Sequence, residues 1–124
     1  MQTLTRSAWL LLAGVHIPPA MAAPFPGLMA QLYGVAPAGD VALMLSHRAM
    51  LFLAIVLACL WGAFAPAARR PLSLIVAISI LGFLWLYLSA GAPEGALRTI
   101  AIADGIALAP LVVVLIQAWT DRTG

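Results

Sequence analysis

Residues 41–64 read VALMLSHRAMLFLAIVLACLWGAF. The run exceeds the about 20 apolar residues that cross a bilayer core as a helix. Near one end it carries His47 and Arg48 side by side, and further along only Cys59 can ionise. A span of this length decides the class of the protein. The ionisable pair inside it raises the question of function.

Outward from that run the chain repeats the pattern. Residues 72–90 and 96–119 are equally apolar and long enough to span, and residues 6–23 form a fourth, less regular segment because Pro18 and Pro19 interrupt it. Composition agrees: 65% of residues are hydrophobic and 8% charged, with a mean hydropathy of +1.10. Water-soluble domains carry roughly 25% charged residues, so most of this chain must face lipid. The expected fold is all-α, a four-helix transmembrane bundle forming one integral membrane domain over residues 1–124. Local signals bound the spans. Gly39-Asp40 offers an N-cap, Ala65-Pro66 a stop, Pro71 a first-turn proline, and Gly91, Pro93 and Gly95 a tight turn.

Between the first two spans, Phe25, Leu28, Met29, Leu32 and Tyr33 fall at helical spacing within a stretch rich in Ala, Pro and Gly. A short amphipathic helix at the outer interface accounts for the stripe; an irregular loop over the bundle is the alternative. The first span has a rival reading as well. Arg6, an apolar core and Ala20-Met21-Ala22 resemble a secretory signal with its cleavage site. His16 and the paired prolines suit such a core poorly, so retention is expected.

The six basic residues are all arginines, too scattered for a nucleic-acid surface. Arg6 opens the first span, Arg69-Arg70 follow the second and Arg122 follows the last. In a four-span chain these places share one side, while Asp40 and Glu94 lie on the other. The positive-inside rule then puts both termini in the cytoplasm of an inner membrane. Trp9, Trp61 and Trp119 are expected along the cytoplasmic interface, and Tyr33, Trp85 and Tyr87 toward the opposite one. Stripes of small residues, Ala54-Ala58-Gly62 and Ala101-Gly105-Ala109, are the expected sites of close helix packing, and Pro110 is expected to kink the last span.

At 1.5 Å per residue His47 and Arg48 lie about 10 Å deep, and Asp104 about 9 Å deeper than Arg98. With His16, these five groups occupy one half of the bundle, and they are the candidate polar cluster. His47 shares a face with Ala54 and Ala58, while Arg48 aligns with Met44 and Phe52. Glu94 and Arg98 can pair at the surface, which leaves Asp104 as the buried counter-charge expected for Arg48. One cysteine excludes an internal disulfide and a dithiol. No metal or cofactor motif is visible.

The chain also resembles a group of small four-helix bacterial inner-membrane proteins, broadly DoxX-like. The residues that carry the likeness are Leu32-Tyr33-Gly34, Ser46-His47-Arg48-Ala49 at the opening of a span, and Arg98 and Asp104 in the last. The resemblance implies a fold and a location. Some such proteins bear an adenylyltransferase name, but this sequence has no phosphate-binding glycine loop and no nucleotide-binding histidine motif.

Three functional classes fit. The favoured one is a non-enzymatic accessory or structural subunit, partnered by the lipid bilayer and by copies of itself or another membrane protein. The second is a binding or transport module whose polar half holds a small anion, a lipid or a quinone-like ligand. The third is a haem carrier with His16 and His47 as axial ligands.

Overall fold

The structure is a computed structural model that describes residues 1–34 and 36–120. Arg122, one of the orientation signals, lies outside the described residues. Among those described, the chain is all helical: α1 (Gln2–Met21), α2 (Pro26–Tyr33), α3 (Gly39–Phe64), a single 3-10 turn (Pro66–Ala68), α4 (Arg69–Ser89) and α5 (Ala96–Thr120). Three of these units are long and apolar enough to cross a membrane: α3, the 3-10 turn with α4, and α5. They become four if α1 and α2, bent 110° from one another, count as one span.

The expected short helix between the first two spans is α2. Pro26 opens it, a position where a missing N–H costs nothing, and Gly34 ends it at φ +68°, the left-handed conformation that closes a helix. Leu28, Leu32 and Tyr33 are half-buried and Met29 is buried, whereas Phe25, at the N-cap, stays exposed. Pro18 and Pro19 do not break α1, which runs through them to Met21. Likewise α5 continues through Pro110. Ala38, not Gly39 or Asp40, is the N-cap of α3, and Asp40 contributes its charge from the first turn.

α1 packs most extensively against α3 and also against α5, and α4 packs against α5 and α3. One continuous core joins Trp9 and Leu12 of α1, Val56, Cys59 and Ala63 of α3, Val76 and Ile80 of α4, and Leu111 and Val114 of α5. The outward faces are rich in large apolar side chains: Leu43, Leu57, Ile78, Trp85, Ile106 and Ile116 all stand exposed. Large apolar residues exposed over so much of the surface is the pattern that lipid, not water, permits.

The expected small-residue stripes are only partly helix contacts: Gly62 and Ala101 are buried. Ala54, Gly105 and Ala109 are exposed, and the buried side of α3 runs through Ala49, Val56, Cys59, Gly62 and Ala63. Of the proposed stripes, Gly62 carries the closest approach. A Cβ there would meet three atoms of the Trp9 ring at 2.8 Å. Trp9 is thus fully buried against α3 and is not an interface anchor, while Trp61, Trp85 and Trp119 are exposed as an interfacial role requires. In an alanine-rich chain several registers offer small residues every fourth position. The register that admits an indole wins.

The arginines at one end are built into the fold. Arg69 is buried and its Nε–H donates to the Gly62 carbonyl at 3.0 Å. The Arg70 Nε–H donates to the Ala118 carbonyl at 2.9 Å. Each cation therefore meets the last turn of a neighbouring helix, where carbonyls lack helical donors and the dipole is negative. Arg6 lies over the Phe64 ring at the same end.

Candidate functional site

Arg48 projects from α3 one turn before Phe52, and the α-helical repeat sets its guanidinium over that ring, 5.0 Å from the centroid. Across the gap, α4 brings Phe83 within 5.5 Å of the same guanidinium. These two cation–π contacts suit a half-buried arginine in an apolar setting. The Arg48 Nε is nevertheless sealed from solvent and has no hydrogen-bond acceptor. The expected tie to Asp104 is not formed as a hydrogen bond or ion pair; the ion pair among the described residues is Arg98–Glu94, exposed, at 3.4 Å. The reason is local. The Arg48 guanidinium lies over Phe52 and reaches toward Phe83 on α4, whereas Asp104 lines the cavity that Phe52 shares with His16.

Arg48 stands at one end of a cavity of about 560 Å³ between α3 and α4. Its walls are apolar, from Leu51, Phe52 and Ile55 on α3 and Ile75, Ile78 and Phe83 on α4; apart from Arg48 the one polar side chain lining it is Ser79. Gly82 opens the wall, with nothing within 4 Å of where a Cβ would stand. The volume falls within the range of small-ligand sites.

His16 and Asp104 meet elsewhere. Both line a smaller cavity, of about 130 Å³, bounded by α1, α2, α3 and α5. His16 is almost wholly buried, with Nδ1 2.7 Å from the Leu12 carbonyl oxygen. A carbonyl only accepts, so Nδ1 carries the proton there and Nε2 of the neutral ring keeps its lone pair. The His16 ring lies 5.8 Å from Phe52, centroid to centroid. Phe52 thus forms part of both cavities and is the wall between them.

Of the five candidate residues, the fold gathers three around Phe52: Arg48 on one side, His16 and Asp104 on the other. His47 is exposed on the outward side of α3 and does not face a neighbouring helix as its spacing with Ala54 and Ala58 suggested. Because His16 points inward and His47 outward, the two cannot ligate one haem within a chain. Arg98 is a surface residue paired with Glu94. Phe83 and Gly82 were invisible as site residues, since nothing in an apolar span marks the positions that another helix leaves uncovered. Phe52, aligned with Arg48 by helical spacing, was the available signal. No protein-family profile matches the chain, and no curated protein or solved structure is significantly similar to it.

Proposed function

We propose that the protein is a multi-pass inner-membrane binding module, with α1, α3, α4 and α5 as the four spans of one bundle. Its α3–α4 groove holds an amphiphile, acyl or similarly apolar along Ile55 and Ile75, with an anionic head at Arg48. The Arg48 guanidinium, which forms no ion pair with a carboxylate of the described residues and stands at the end of a large apolar groove, carries this reading. The rings of Phe52 and Phe83 balance part of the charge but accept no in-plane N–H bonds, and those donors are the ones that grip carboxylate or phosphate. An arginine serving only to tie helices together would be expected to meet a carboxylate, and this one meets aromatic faces.

Lipid extraction and native mass spectrometry of the full chain, purified in mild detergent, test the proposal. The wild type should retain an anionic amphiphile. Arg48→Gln should lose it, and so should Gly82→Leu, which adds bulk to the groove from a position where a Cβ meets nothing within 4 Å. Arg98→Gln, altering only the surface pair, should retain it. Retention by Gly82→Leu would place the ligand elsewhere.

Orientation follows the same proposal. Arg6, Arg69 and Arg70 sit at one end of the helices, with Asp40 and the Glu94–Arg98 pair at the other, so the arginine-rich end is assigned to the cytoplasm. In a chain with Cys59→Ala, a cysteine replacing exposed Ala67 should resist an impermeant thiol reagent in intact cells, and one replacing Glu94 should react. The opposite labelling pattern would invert the topology.

A further inference from the structure

We infer that the smaller cavity behind Phe52 is a second site, for a small primary ammonium group: an ammonium ion or a short alkylamine in its charged form. The inference rests on a mismatch of hydrogen-bonding sense. Every polar group identified in the lining can accept. Asp104 offers a carboxylate that lies within electrostatic reach of Arg48 but makes no hydrogen bond or ion pair with another described residue, so its oxygens lack a donor. His16 offers the Nε2 lone pair, because its Nδ1–H is committed to Leu12. Val15 also lines the cavity, and its carbonyl has lost the α-helical donor four residues on, since position 19 is proline. The Thr99 hydroxyl, at the exposed end, can act either way.

A half-buried group of acceptors around a buried histidine calls for a donor, and a carboxylate among them favours a positive one. Hard metal ions prefer oxygen ligands throughout, which the imidazole nitrogen does not supply. A transition ion would want a third histidine, cysteine or carboxylate, and the described residues gather no such group of three. An ammonium fits both counts, since N–H donates to nitrogen and oxygen alike. The face of Phe52 adds an aromatic surface to which cations are attracted. About 130 Å³ is room for roughly four waters, enough for an ammonium head and a few carbons against the apolar prolines.

The melting temperature of the purified full-length protein in detergent, at constant ionic strength, provides the test. Ammonium and potassium are alike in charge and close in size, so their comparison separates hydrogen bonding from bare electrostatics. Ammonium and methylammonium chloride should raise the melting temperature saturably, with potassium chloride at least roughly tenfold less effective in concentration. Asp104→Asn should weaken the ammonium response by a similar factor. Pro19→Ala, which returns a helical donor to the Val15 carbonyl, should weaken it several-fold. Equal responses to ammonium and potassium, no saturable response, or an unaltered response in Asp104→Asn would each overturn the assignment. If Asp104→Asn fails to fold, the wild-type comparison of the two ions still decides.

Discussion

Replacing Trp9 by alanine is expected to lower stability by about 2–3 kcal/mol, less than the same change costs in a water-soluble core. Separated helices would still keep the indole in lipid, so little is lost from transfer. What disappears is packing: Trp9 is fully buried where α1 crosses α3, and its removal leaves a cavity the size of an indole in a core of small residues. The complementary change, Gly62→Ala, should cost about 1–3 kcal/mol by overpacking, because the new Cβ would stand 2.8 Å from a ring with no room to retreat. The two penalties share one contact. In a Trp9→Ala background the Gly62→Ala change should become nearly neutral, and reversible unfolding in mixed detergent micelles would reveal that coupling. Additive penalties would mean that α1 and α3 separate at this point. Trp9→Phe should be the mildest substitution, since the buried indole N–H has no acceptor to lose.

The second large effect is expected at Arg69. Its guanidinium is buried at the end of α3 and donates to the Gly62 carbonyl. Losing a hydrogen bond from a charged group costs about 1.5–3 kcal/mol. Arg69→Ala also strips the aliphatic stem that packs beneath the head. Arg69→Lys should recover only part of the loss, because an ammonium on a shorter reach does not reproduce the Nε–H geometry. Glu94→Gln, by contrast, disturbs an exposed pair and should change stability by well under 1 kcal/mol. Thermal melts followed by circular dichroism separate these cases. An Arg69→Ala protein as stable as the Glu94→Gln protein would reduce Arg69 to an orientation signal.

Much of the architecture follows from the sequence alone, because in lipid the backbone has few options. Any apolar run of residues 41–64 must be helical, since an unpaired N–H or C=O in hydrocarbon costs several kcal/mol. Run length, the Gly and Pro punctuation and the stripe from Leu28 to Tyr33 therefore placed the helices, including α2. The surface pair Glu94–Arg98 was equally legible, being set by the local helical repeat. So was the alignment of Arg48 with Phe52.

What only the tertiary structure decided is which face of each helix meets another. In an amphipathic helix of a soluble protein the core face announces itself; here every face is apolar, and the pattern is silent. That is why His47 was expected inside and lies outside, why Trp9 was expected at an interface and fills the core, and why Asp104 shares a cavity with His16 and forms no ion pair with Arg48. One indole docks against one glycine where α1 crosses α3, in the register the two helices adopt. That register, together with the looser approach of α4 to α3, leaves the groove beside Arg48 open. Lipid made the helices a matter of composition, but shape complementarity between side chains far apart in the chain chose their partners.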